Sequence, residues 1–95
     1  MRVKSETHLF FKLCSDRLSI EAIPKSKVRL DLAKVKRGFD DFVVKIWTPH
    51  FIVMRSINGV EVTLRTDGRM IVRNSNSEAD AEAAAVRVLS MVSRL

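Results

Sequence analysis

Few side chains in this sequence are suited to chemistry, and most of those stand apart from one another. His8, Cys14 and His50 are its only imidazole and thiol groups, and Asp40-Asp41 is its only pair of adjacent carboxylates. A structural metal site needs about four converging ligands, yet the chain has no CxxC and no HxxxH spacing. His8 and Cys14 share one face of an extended strand but lie about 20 Å apart along it, too far for one ion or one catalytic dyad. They read as a packed or solvated histidine and a small buried thiol. Asp40 and Asp41 diverge in extended backbone, so they suit the start of a loop better than general acid–base work. The glycines, at 38, 59 and 68, form neither GxGxxG nor GxxxxGK[ST]. The expectation is a protein that is not an enzyme and uses no metal or cofactor.

The cations are another matter. Seventeen Lys and Arg against eleven Asp and Glu give a net charge of +6. That balance favours polyanionic partners, either nucleic acid or an acidic protein. The plainer reading is a soluble protein kept dispersed by its charge. Cys14 is the lone cysteine and suits a reducing cytoplasm. No apolar run approaches the roughly 20 residues of a membrane span, since Phe42-Val43-Val44 is halted at Lys45. The opening Met-Arg-Val-Lys-Ser-Glu does not read as a secretory signal. A cytoplasmic, non-membrane protein forming a single domain over residues 1–95 is expected.

The elements that must position these charges follow from periodicity. Leu9, Phe11 and Leu13 alternate with His8, Phe10 and Lys12, and Leu18, Ile20 and Ala22 alternate with Ser19 and Glu21. With Ser15-Asp16-Arg17 as turn chemistry, these stretches predict a first hairpin, a helix over 6–14 being the alternative. Val28, Leu32, Val35 and Phe39 then fall on one helical stripe, which predicts a helix within 26–37 ended by Lys36-Arg37-Gly38. Four strands follow: 42–47, 51–56, 60–65 and 69–73. They are separated by Thr48-Pro49, Asn58-Gly59 and Asp67-Gly68, strong hairpin signals.

The last hairpin allows its register to be argued. A two-residue loop would set Met70 against Arg65 and mix polar with apolar side chains on each face. A three-residue loop, Thr66-Asp67-Gly68 with Gly68 left-handed, pairs Leu64 with Met70 and Val62 with Val72. It sends Thr63, Arg65, Ile71 and Arg73 to the other face. Alternation makes these choices exclusive, and the three-residue loop is expected. Ser77 then caps a helix, with Asp80 three residues on. Its apolar stripe runs through Ala81, Ala84, Ala85, Val88, Met91, Val92 and Leu95. The fold class expected is α+β: an antiparallel meander with the C-terminal helix on one face and a second short helix near 26–37.

Several of these pieces, taken in order, resemble one repeat of the TATA-box-binding protein family. The pieces are Leu30-Asp31-Leu32 with Val35, Phe42 to Ile46 before Pro49, Asp67-Gly68-Arg69-Met70-Ile71-Val72, and Ser77-Glu78 opening an alanine-rich helix. The resemblance covers about residues 30–95 and implies a TATA-binding-protein-like half, with DNA on the open face of the sheet. Departures limit that implication. The family's DNA-kinking Phe falls on Arg65 and its groove Thr on Arg73. The Pro49-to-Gly68 spacing has room for an extra strand, and the unit occurs once. An arginine does not wedge between base pairs as an apolar ring does.

By alternation, the face away from the C-terminal helix should carry Lys45, Trp47, Phe51, Val53, Arg55, Thr63, Arg65, Ile71 and Arg73. Rings and cations mixed on an open sheet resemble a platform on which bases stack and phosphates pair. The helix expected near 26–37 adds Lys25, Lys27, Arg29, Lys34, Lys36 and Arg37, with only Asp31 opposing. The nucleic-acid-binding residues expected are thus Lys45, Trp47, Phe51, Arg55, Arg65, Arg73, Lys34, Lys36 and Arg37. The alternative is a small assembly subunit, homodimeric or docked on an acidic protein through the same apolar strip.

Overall fold

A computed structural model of the chain describes residues 9–13, 19–26, 28–35 and 41–92. Strands β1 (Leu9–Leu13), β2 (Ser19–Pro24), β3 (Phe42–Trp47), β4 (Phe51–Ser56), β5 (Glu61–Arg65) and β6 (Met70–Arg73) precede helix α1 (Glu78–Val92). The fold is α+β. All six strands form one antiparallel sheet in the order β1-β2-β6-β5-β4-β3. The β3–β6 meander and the β1–β2 hairpin therefore join where β2 pairs with β6. The expected first hairpin forms, and Leu9–Leu13 is strand rather than helix. Its turn, with Cys14, lies outside the described residues.

The β5–β6 hairpin adopts the expected three-residue loop. Leu64 opposes Met70 and Val62 opposes Val72, Gly68 has φ +85°, and the Arg65 amide donates to the Arg69 carbonyl at 2.9 Å. The β4–β5 loop repeats this design: Gly59 has φ +88° and the Ser56 amide donates to Val60 at 2.9 Å. Both loops need a residue in the left-handed region, which glycine enters at little steric cost.

The core lies on one face of the sheet. Ala22, Ile52, Met54, Val62, Leu64, Met70 and Val72 are fully buried there, each large side chain worth about 1.5–3 kcal/mol. Helix α1 packs over β2 and β6, burying Ala81, Ala85, Val88 and Val92. The small alanines let its first half approach the strands closely. Its N-terminus is capped as expected, with Ser77 Oγ accepting from the Asp80 amide at 3.1 Å. No helix among the described residues is long and apolar enough to cross a membrane.

Two expectations are corrected. The helix placed within 26–37 is only a short 3-10 turn, Leu32–Val35. The segment leading to it instead crosses the sheet end, tied by the Leu30 amide to the Thr66 carbonyl at 2.8 Å, and drops Leu32 into the core. Core packing of Leu30 and Leu32, the Leu30–Thr66 backbone bond and the Trp47 indole on the Leu32 carbonyl hold this crossing without a helical stripe. The second correction concerns Trp47. A register shift between Val44 and Ile46 leaves Lys45 as an extra residue in β3, so Trp47 opposes Ile52 instead of continuing the alternation. Trp47 consequently packs on the core, and its indole N–H donates to the Leu32 carbonyl at 3.0 Å. The bulge exchanges faces between neighbours: the larger ring is covered and Ile46 is left 51% exposed.

Candidate nucleic-acid interface

With α1 and the 28–35 segment on the core face, no element among the described residues covers the opposite face of the sheet, the open face. Register assigns its cross-strand rows. Lys12 opposes Glu21, Glu21 opposes Ile71, Ile71 opposes Thr63, and Thr63 opposes Val53. Nearer the β5–β6 turn, Phe10 opposes Ile23 and Phe51 opposes Arg65. The Arg65–Arg69 backbone bond aligns these two across the loop. Arg69 Nη1 reaches Glu21 Oε2 at 3.5 Å, which puts its side chain on the open face as well. Continuing the β2–β6 register by one residue sets Ile23 beside Arg69. The result is one row, Phe10–Ile23–Arg69–Arg65–Phe51, with a ring at each end and two guanidinium groups between.

Local bonding fixes this row. Asp67 Oδ1 accepts from the Arg69 amide at 3.1 Å and Oδ2 from Arg65 Nη2 at 3.0 Å, so one carboxylate shapes the loop and holds an arginine. Phe51 is positioned by Thr48, whose Oγ1 accepts from the His50 and Phe51 amides at 3.1 and 3.0 Å. Phe51 is 36% exposed and Phe10 58%. Lys25 Nζ lies 5.3 Å from the Phe10 ring centroid, within cation–π range. Two hollows flank the turn. One of about 610 Å³ has Lys25, Arg29 and Arg69 in its wall, and one of about 400 Å³ is formed by His50, Phe51, Thr63, Arg65 and Thr66.

The remaining expected binding residues divide between the faces. Arg55 is on the open face with Glu61 Oε2 at 3.8 Å. Arg73 opposes Ser19 and Glu61 in register and is exposed, with no ion pair among the described residues. Lys45 is exposed at the β3 bulge. Trp47 is on the core face and leaves the platform, a consequence of that bulge. Lys34 is exposed in the 3-10 turn, within the segment covering the opposite face. Lys36 and Arg37 lie outside the described residues.

Sequence reasoning missed Phe10, Ile23 and Arg69. Alternation in β1 already put Phe10 opposite Leu9 and Phe11, and the three-residue loop already implied that Arg69 faces Arg65. Local pattern does not encode the β2–β6 pairing, which brings these pieces into one row. Among the described residues no three His, Cys, Asp or Glu side chains converge as metal ligands would. Comparison of the chain with protein-family models, with curated proteins and with solved structures finds no match.

Proposed function

We propose that the protein is a non-catalytic nucleic-acid-binding domain that uses the open face of its sheet. The observation carrying this reading is the Phe10–Ile23–Arg69–Arg65–Phe51 row, with Lys25 over one of its rings. Cations beside exposed rings pair with phosphates while the rings accept bases. The excess of seventeen basic over eleven acidic residues supports the same partner. A TATA-binding-protein-like build enters the proposal only as a sheet backed by a terminal helix, because Arg65 occupies the wedge position. A cytoplasmic setting belongs to the proposal too, resting on the lone Cys14.

A salt titration of binding to mixed DNA and RNA oligonucleotides tests this. Log affinity should fall linearly with log salt, by about 0.7 per phosphate neutralised on single strands and about 0.9 on duplex DNA. A flat slope, or no binding at low salt, removes the reading. A second reading, assembly through the β3 edge, is favoured by Val43 and Ile46, 62% and 51% exposed on the last strand of the sheet. Sedimentation at two protein concentrations discriminates, since only the assembly reading predicts a concentration-dependent mass.

A further inference from the structure

Building on that function, we infer that the ligand is single-stranded nucleic acid, lying across the strands along the Phe10–Phe51 row. Width is the first argument. The row crosses β1, β2, β6, β5 and β4, about 19 Å at about 4.8 Å per strand spacing. The B-DNA major groove is about 12 Å wide and the minor groove about 6 Å. Neither groove admits this surface unless the duplex is opened.

The second argument is the spacing of rings and charge. A ring can stack only on a base whose face is free, which a paired duplex hides and a single strand offers. Phe10 and Phe51 stand at the two ends of the row; Phe51 lines one of the hollows flanking the turn, and Phe10 neighbours Ile23 and Lys25, which line the other. The hollow near Phe10 contains Lys25, Arg29 and Arg69, and the hollow at Phe51 contains Arg65. Asp67 contributes a carboxylate to the first of these and ties Arg65 in the second. A strand running from ring to ring thus meets Lys25, Arg69 and Arg65, with Arg29 in the adjoining hollow, against two carboxylates, Glu21 on Arg69 and Asp67 on Arg65.

Fluorescence anisotropy with the full chain decides the matter, using a labelled oligothymidine of about 12 nucleotides and a mixed-sequence duplex of the same length. The oligothymidine should bind roughly tenfold tighter than the duplex. Phe10→Ala and Phe51→Ala should each weaken the single strand by roughly tenfold and leave duplex affinity nearly unchanged. Asp67→Asn keeps the Oδ1 acceptor that shapes the turn and removes one of the two opposing charges, so it should tighten binding by about threefold. A gain of that kind cannot arise from misfolding. Duplex binding as tight as, or tighter than, the single strand overturns the inference and leaves the proposed function standing. Single-strand binding indifferent to both phenylalanines also overturns it. Failure to bind either ligand overturns both.

Discussion

The two loops at opposite ends of β5 are built alike and placed in different surroundings. Ile57-Asn58-Gly59 and Thr66-Asp67-Gly68 each close three residues with a left-handed glycine and a bulge bond to the next strand. At the first, a Cβ on Gly59 would meet nothing within 4 Å, and Ile57 projects with 85% exposure. At the second, a Cβ on Gly68 would lie 2.9 Å from Pro24 Cγ and 3.2 Å from Val28 Cβ. The charge differs as well. At the Gly68 end Arg65, Arg69, Lys25 and Arg29 outnumber the Asp67 and Glu21 carboxylates that pair with the first two, whereas at the other end Arg55 faces Glu61 and Arg87 holds Asp41. Local sequence sets the loop geometry at both ends. The crossing segment and the cations make only one of them a candidate binding end.

The largest effect should separate the two glycines. Gly68→Ala combines left-handed strain of about 1–2 kcal/mol with an overpacking cost of about 1–3 kcal/mol against Pro24 and Val28. Gly59→Ala should carry the strain alone, about 1–2 kcal/mol. Urea unfolding of both variants measures the difference, and equal losses would mean that the crossing segment does not press on Gly68. Next, Trp47→Phe keeps most of the ring but removes its donor to Leu32, so it should cost about 1 kcal/mol. It should leave nucleic-acid affinity unchanged, because Trp47 is on the covered face. Loss of binding in a folded Trp47→Phe protein would return that residue to the platform.

The smallest effect belongs to the Gly59 end. Arg87 donates to Asp41 from Nε and Nη2 at 3.0 and 3.2 Å, and these bonds hold the Asp41 carboxyl below its usual range. Because the folded-state pKa is depressed, the contribution is complete above the unfolded value near 3.9 and fades as pH falls through the folded one. The pair is substantially exposed, so about 0.5 kcal/mol or less is at stake. Asp41→Asn should reduce stability slightly near pH 7 and not at pH values below both pKa values. Denaturant midpoints at the two acidities check this. A loss that persists in acid would assign Asp41 a role other than its charge.

The parts legible in the sequence were those set by short-range chemistry. Asp67-Gly68 with its flanking alternation determined loop length and register, and Ser77 with the alanine-rich stripe determined the capped helix. Two features depended on distant partners and were not legible. Val28, Leu32 and Val35 have helical spacing, yet the segment is held by the Thr66 carbonyl and by Trp47, which favour a crossing with a 3-10 turn. Strict alternation in β3 misplaced Trp47 because the bulge at Lys45 gains its energy from covering an indole, a tertiary term invisible to local pattern. The open-face row was half legible. Arg65 and Phe51 followed from the meander, whereas Phe10, Ile23 and Arg69 required the β2–β6 pairing.

Backbone amide chemical shifts recorded while the protein is titrated with oligothymidine test the central claim most directly, since they compare both ends of β5 in one experiment. The account predicts perturbations centred on Phe10, Ile23, Phe51, Arg65 and Arg69, with Ile57-Asn58-Gly59 still. Perturbations concentrated at the Ile57–Gly59 end, or along Val43 and Ile46, would contradict it.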